Sequence, residues 1–321
     1  MPTWYLFSLS ALLLLGGQRF LYKVAATKNC PTFLTTFCFM ITVAVLSSGL
    51  LILRPPDIPN MHFLVLISLA NSLTFVSATL AHIQALKHMP ATVAYPLIRM
   101  NIVLVVIFAV VFLQERLAPL QTVGVLLSFA TIWVLARDTA PESEARPKAK
   151  GLLLVFLAML AGALSAISSK YAAAHTDLLA FIALSYIFST LFTLLPKLVG
   201  VARVMMPLDN PHQTQANARK EFPSVPSGES PREKSPDEIQ DQTPRRLAVI
   251  IGLAMGLLNL GGFYLFLKAL ALGPLAIVAS VNGMHFLVAV ILSVVVFHEK
   301  MTTNRLLGLV LAMLAIVLLR G

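Results

Sequence analysis

Arg99 is the residue in this sequence that points most directly to chemistry. It stands about nine residues into a predicted apolar helix of residues 91 to 113, roughly 12 Å along the helix axis. If that helix spans a membrane, a charge so deep in the bilayer costs several kcal/mol unless it faces a water-filled cavity or a partner. Because guanidinium pairs bidentately with carboxylate and phosphate groups, Arg99 predicts a site for an anionic or zwitterionic ligand. Snorkelling to the interface, or bonding to a carbonyl of a broken helix, is the structural alternative.

Tyr95 shares a helix face with Arg99 and is a second binding candidate. Thr92, Tyr95 and Arg99 stand at i, i+3 and i+7, on one side of an α-helix. Pro96 lies between them and lacks a backbone donor, so it either aims carbonyl oxygens inward or is an ordinary kink.

The helix predicted at 275 to 297 adds Asn282 and His285. Gly283 occupies the position that matches Arg99, so the predicted site is not symmetric. His285 can bond a substrate, shuttle a proton, or serve as a satisfied structural histidine. The sequence leaves these roles open.

Three further polar side chains, Asn71, Asn259 and Tyr264, fall inside predicted helices and are substrate-binding candidates. Bonding across helices is their structural alternative. All 14 Asp and Glu residues fall in loops or at helix ends, so no carboxylate is available at mid-membrane for a cation. A proton-coupled exporter of cationic drugs is therefore disfavoured.

Two charged pairs recur where predicted helices end, Glu115 with Arg116 and Glu299 with Lys300. Their recurrence predicts an interface cap or a gate, with the cap preferred. No cysteine or histidine cluster has metal-ligand spacing, and no glycine-rich phosphate loop or catalytic constellation is present. We expect no cofactor, no metal and no enzymatic activity.

Composition indicates the class of element that carries these residues. The chain is 58% hydrophobic and 12% charged, whereas soluble domains carry roughly a quarter charged residues. A bilayer requires about 20 apolar residues per helix. The fold class predicted is therefore an all-α polytopic membrane protein with ten transmembrane helices. They are predicted at residues 3–22, 33–53, 61–82, 91–113, 118–136, 151–171, 177–200, 247–267, 275–297 and 302–319.

The sequence contains an internal duplication. Residues 85–137 and 269–321 align without a gap at a constant spacing of 184, with 13 identities that include a proline, a glycine and the single acidic residue. Five helices per half is an odd number, so the second copy enters the membrane inverted. An inverted repeat predicts a midplane substrate site and alternating access, although a merely larger bundle is the alternative. The predicted parts are a first repeat at 1–137, a linker at 138–150 and a second repeat at 151–321.

Basic residues indicate orientation. Every Lys and Arg other than Arg99 is assigned to a loop, a helix end or a terminus, and most follow odd-numbered helices. By the positive-inside rule those loops are cytoplasmic and both termini lie outside. The net charge is +10, but the basic residues form no stripe interleaved with aromatic residues, so nucleic acid is excluded as a partner.

The duplicated motif resembles the EamA-like branch of the drug/metabolite transporter superfamily. It reads Ala85-Leu86, Pro90, Leu113-Gln114-Glu115-Arg116 and Gly124, then Ala269-Leu270, Pro274, Phe297-His298-Glu299-Lys300 and Gly308; a weaker echo links Lys23 with Lys170. The resemblance implies a ten-helix bundle with a central cavity and both termini in the cytoplasm. Orientation, and with it the choice between export and import, stays open because the charge pattern favours the opposite.

Residues 202–246 are polar and proline-rich, and we predict a disordered hydrophilic loop there. The favoured function is secondary transport of a small metabolite across the cytoplasmic or plasma membrane, with the lipid bilayer as surroundings and a homodimer left open. The alternatives are a non-transporting scaffold or sensor that binds a partner through this loop, and a flippase for a lipid-linked sugar.

Overall fold

A computed structural model describes residues 2–56, 58–86, 97–138, 149–198, 242–298 and 302–320. Every regular element in these ranges is a helix. We number them in chain order: α1 Thr3–Thr27, α2 Thr32–Leu53, α3 Met61–Leu86, α4 Asn101–Val111, α5 Pro119–Asp138, α6 Ala149–His175, α7 Leu178–Leu198, α8 Gln242–Leu272, α9 Leu275–Gly283, α10 Phe286–Phe297 and α11 Thr303–Leu319.

Several helices have the length and the apolar surface of membrane spans. Within the described ranges, five stretches are long and apolar enough to cross a bilayer, and four shorter apolar helices accompany them. Large apolar side chains point outward, as at Ile52 (82% exposed) and Val317 (65% exposed). Water would not favour such a surface, whereas lipid tails would.

The helix predicted at 275–297 is not continuous. It divides into α9 and α10, with Met284 and His285 in a turn between them. Gly283 ends α9, and glycine is among the poorest helix formers. The helix predicted at 91–113 is described from residue 97 and has a matching turn at Met100, just before α4.

Helix α1 is longer than the predicted 3–22. It continues to Thr27 and so includes Lys23, and α8 continues beyond the predicted residue 267 and so includes Lys268. The assignment of these two residues to loops was wrong. Long basic side chains can rest their stems on apolar or aromatic neighbours while the charged head finds a partner, so a charge does not by itself end a helix.

Glycines allow the closest helix contacts. A β-carbon at Gly252 would lie 2.6 Å from Cys38 Cβ on α2, and one at Gly262 would lie 2.8 Å from Leu15 Cγ on α1. Helix α8 therefore packs tightly against both α1 and α2. The other most extensive contacts join α3 to α6 and α5 to α11.

Candidate functional site

Two helix interruptions lie at duplicated positions and have the same backbone hydrogen bonds. Met100 N bonds to Leu97 O at 3.1 Å, and Met284 N bonds to Val281 O at 3.1 Å. These i to i−3 bonds replace the regular i to i−4 pattern. Peptide groups beside such a break are available for side chains, ligands or water.

His285, in the second interruption, lies between two arginines. Arg19 Nε on α1 is 3.3 Å from His285 Nε2, and Arg99 Nη1 is 3.4 Å from the same nitrogen. The two guanidinium nitrogens are therefore separated by no more than the sum of these distances. We call Arg19, Arg99 and His285 the Arg–His–Arg cluster.

The hydrogen bonds define the state of the His285 ring. Its Nδ1 lies 2.5 Å from the backbone carbonyl of Asn282, and this nitrogen must donate because a carbonyl only accepts. Arginine has no acceptor, so the single lone pair of Nε2 faces donors of both guanidinium groups and is shared between them. His285 is therefore a neutral imidazole in this arrangement, and the cluster retains both positive charges.

Aromatic rings and graded burial orient the cluster. The guanidinium carbon of Arg99 lies 5.7 Å from the centre of the Phe286 ring, and that of Arg19 lies 5.8 Å from the Tyr22 ring. His285 is 8% exposed, Arg99 is half-buried and Arg19 is exposed. The cluster thus runs from a buried imidazole to an accessible cation.

Gly16 on α1 permits the close approach that forms the cluster. A β-carbon there would lie 2.5 Å from the backbone oxygen of His285 and would also overlap Val288 Cβ. At the first interruption, a β-carbon at Gly162 of α6 would lie 2.9 Å from Asn101 Nδ2. Each interruption therefore faces a glycine of a helix in the other half of the chain.

The corner between α8 and α9 is held by two charged side chains. The Glu115 carboxylate accepts hydrogen bonds from Leu275 N at 2.6 Å and Ala276 N at 2.9 Å. Lys170 Nζ donates to Leu270 O at 2.6 Å and Gly273 O at 2.8 Å. An anion thus caps the start of α9 and a cation caps the end of α8, as the helix dipoles favour.

The comparisons with known proteins agree with this architecture. Residues 2–137 and 233–321 match the EamA-like transporter family. The chain belongs to the EamA-like transporter family. It is accordingly an integral, multi-pass membrane protein of the drug/metabolite transporter superfamily.

Solved structures support the fold of this EamA-like chain. Twenty-nine chains match, and one of them, titled only "Crystal structure of protein", aligns with a TM-score of 0.69 over 99% of this chain and 98% of its own. Its identity is 16%, so the likeness concerns the fold alone. The search among curated proteins gives no match.

Arg19 is the member of the Arg–His–Arg cluster that sequence reasoning missed. From the sequence, Arg99 alone among the basic residues is singled out as a binding candidate, whereas in the structure Arg19 contacts the same histidine. Its signal was present in the sequence: Arg19 directly follows Gly16-Gly17-Gln18 inside an uninterrupted apolar stretch.

Asn282 lies at the edge of the cluster. Its backbone oxygen orients His285, while its side-chain Oδ1 is buried without a hydrogen-bond partner among the described residues. A buried acceptor of this kind calls for a donor. Tyr95, predicted on the face of Arg99, lies outside the described residues, as do Thr92 and Pro96.

Asn259 belongs to a hydrogen-bond chain between helices. Its Nδ2 donates to Gln18 Oε1 at 3.0 Å, and its Oδ1 accepts from the Tyr186 hydroxyl at 2.5 Å. These hydrogen bonds join α7, α8 and α1, and they reach α1 at Gln18, one residue before Arg19. Asn259 therefore supports the backbone that carries the exposed guanidinium.

Two other candidates lie elsewhere in the bundle. Asn71 Nδ2 is 2.8 Å from Ser168 Oγ and 3.0 Å from Ser169 Oγ, so its donors are committed to α6. The ring of Tyr264 lies 5.4 Å from Lys268 Nζ, which also lies 5.3 Å from the Phe7 ring. Neither arrangement involves the Arg–His–Arg cluster.

Of the predicted cap or gate residues, Glu115 makes the helix cap described above and Arg116 is exposed. Glu299 and Lys300 lie outside the described residues. The residues that precede the two duplicated glutamates share a left-handed backbone conformation: φ is 54° at Gln114, before Glu115, and 53° at His298, before Glu299. No group of three or more metal-ligating side chains occurs in the described ranges.

Proposed function

We propose that this chain is a secondary transporter of a small anionic metabolite, which binds between Arg19 and Arg99. The observation that carries the proposal is the convergence of two guanidinium groups on one neutral imidazole at a helix interruption. Guanidinium binds carboxylate and phosphate in a paired geometry. An anion between the arginines would engage both.

Electrostatics favours an anion over a cation at this position. Two unit charges about 7 Å apart repel by roughly 2 kcal/mol at an effective dielectric constant of about 20. An anion between them relieves this repulsion, and a cation adds to it. Two acidic side chains that the structure describes, Glu115 and Asp177, each cap a helix elsewhere.

The buried Oδ1 of Asn282 refines the ligand class. A ligand with an N–H or O–H group beside its anionic group would supply the donor that this oxygen lacks. Amino acids, hydroxy acids and sugar phosphates have this combination. We therefore favour such ligands over simple inorganic anions.

The mechanism we propose is alternating access between two inverted repeats. Each repeat, 1–137 and 151–321, would contribute five of ten spans, and 138–150 would link them. Matching interruptions at Met100 and Met284, with glycines of α1 and α6 against them, support this division. We propose export or exchange across a cytoplasmic or plasma membrane, with no enzymatic step.

A thermal-shift screen of the detergent-purified chain tests the ligand class. The probes are glutamate, malate, phosphoenolpyruvate and glucose 6-phosphate, with tetraphenylphosphonium as the cationic probe. A ligand at 100 times its dissociation constant adds about 2.7 kcal/mol to the free energy of unfolding. We expect at least one anion to raise the melting temperature of the wild type and of Arg54→Gln, but not of Arg99→Gln.

Arg54→Gln is the matched control because it removes an exposed arginine at the end of α2 by the same substitution. Stabilisation by tetraphenylphosphonium alone would contradict the proposal. Equal stabilisation of wild type and Arg99→Gln by an anion would place the binding site elsewhere. If no probe stabilises the wild type, the scaffold alternative is favoured.

A further inference from the structure

His285 occupies an unusual position for a histidine beside an anion site. Its Nε2 is the common acceptor for Arg19 and Arg99, while Nδ1 is held by the Asn282 carbonyl. The ring can gain a proton only at Nε2. That nitrogen is also the atom that the two arginines face.

We propose that His285 takes up a proton at Nε2 when the anion binds, so that the transporter moves the anion together with a proton. This inference rests on the proposed function, because the anion site is the same. It adds the coupling ion and the residue that carries it. The proton comes from water on the side to which the site is open, and a new N–H bond forms without any redox change.

In the empty site, a proton on Nε2 is opposed by its surroundings. It would replace the acceptor with a donor and place a third positive charge against two guanidinium groups. Both arginines would lose their partner on His285 at the same time. The neutral ring is therefore the form that the empty arrangement stabilises.

A bound anion reverses this balance. The guanidinium groups turn their N–H donors toward the anion, which leaves Nε2 of a residue that is only 8% exposed without a donor. A proton on Nε2 then supplies a third hydrogen bond to the anion and a charge opposite to it. Anion and proton binding thus strengthen one another, and such linkage is reciprocal.

Charged groups on each neighbouring helix are compatible with this role. Helix α1 contributes Arg19, with Lys23 one turn further on, and the turn before α4 contributes Arg99. Among the described residues, His82 on α3 interacts electrostatically with both arginines, and Tyr22 on α1 and Tyr186 on α7 interact with Arg19. Glu115 and Asp177 are engaged as helix caps, so neither supplies the proton site.

Linkage gives the expected pH dependence. If one proton is taken up per anion, affinity for the anion falls by up to about tenfold per pH unit as pH rises. Carboxylate ligands such as glutamate and malate are the best probes, because their carboxyl groups stay ionised above about pH 6. Phosphate monoesters titrate near pH 6 and need a ligand blank.

The experiment measures the affinity of the purified full chain for glutamate and malate from pH 6.5 to 8.5, together with proton uptake in weak buffer. His285→Gln keeps an oxygen acceptor toward the arginines but cannot take up a proton. We expect the wild type and His82→Gln to lose affinity with rising pH and to take up a proton on binding. His285→Gln should bind the anion more weakly than the wild type at pH 6.5, with a flat pH profile and no proton uptake.

The outcomes separate the two proposals. Anion binding with a flat pH profile in the wild type overturns proton coupling and leaves the anion site intact. Proton uptake that is lost in His82→Gln and kept in His285→Gln assigns the proton to His82 and overturns the role of His285. Absence of any anion binding to the wild type overturns the proposed function and the coupling with it.

Discussion

The two helix interruptions have the same backbone hydrogen-bond pattern but differ in the side chains they carry. Met100 and Met284 have the same i to i−3 bonds. Around the first, the chain has Arg99 and Asn101; at the matching positions around the second it has Gly283 and His285. Duplication kept the shape of the break while its chemistry diverged.

This difference explains why the Arg–His–Arg cluster forms where the two halves meet. The first half supplies both cations, Arg19 and Arg99, and the second half supplies the neutral acceptor, His285. A symmetric pair of breaks would have placed like charges against each other. Divergence instead gave one break the charge and the other the hydrogen-bond acceptor.

The largest effect is expected from the arginines. Hydrogen bonds to charged groups contribute about 1.5–3 kcal/mol each, so Arg99→Gln should weaken binding of the best anion in the screen by about 100-fold. Arg19→Gln should weaken it by about tenfold, since Arg19 is the more exposed of the two arginines and encloses the anion less. Ligand titration by thermal shift measures both, with Arg54→Gln as control. Equal loss in all three variants would contradict a local site.

A second effect separates the two glycines that face the interruptions. Gly16→Ala places a methyl group against the fixed backbone oxygen of His285, so we expect unfolding to become easier by about 1–3 kcal/mol. Gly162→Ala meets the movable Asn101 side chain and should cost less. Gly49→Ala, with nothing within 4 Å, is the control. In detergent, the melting temperature should fall most for Gly16→Ala, less for Gly162→Ala and least for Gly49→Ala. The reverse ranking would refute the close contact at Gly16.

A smaller effect is expected at the α8–α9 corner. Glu115→Gln removes the charge that caps α9 and should lower the free energy of unfolding by about 1 kcal/mol. Arg116→Gln changes an exposed neighbour and should stay within about 0.5 kcal/mol of the wild type. Denaturation in detergent compares the two variants. Equal stabilities would mean that the cap contributes nothing.

The smallest effect tests the asymmetry itself. Asn101 occupies the position that matches His285, yet it lies against Gly162 rather than between the arginines. Asn101→Ala should therefore change anion affinity by no more than about twofold, and it should keep the pH dependence. A loss as large as that of Arg99→Gln would show that both breaks contribute equally to binding.

Much of the fold was predictable because membrane helices follow from apolar length, and the duplication was visible in the sequence. The interruption at Met284 was harder to predict, since neither proline nor charge marks it. Arg19 was missed for a related reason. Hydropathy assigns a charged residue to the ends of membrane helices, whereas Arg19 donates a hydrogen bond to His285, which is distant in sequence. Contacts between residues 19, 99 and 285 depend on packing across the repeats, which no local pattern contains.

A double-mutant cycle on anion affinity tests the central claim most directly. The cycle compares wild type, Arg19→Gln, Arg99→Gln and the double variant with the anion that stabilises the wild type most. If both arginines bind one anion, the loss in the double variant is smaller than the sum of the single losses, because the first substitution already weakens the contact made by the second residue. Fully additive losses would contradict a single site shared by Arg19 and Arg99.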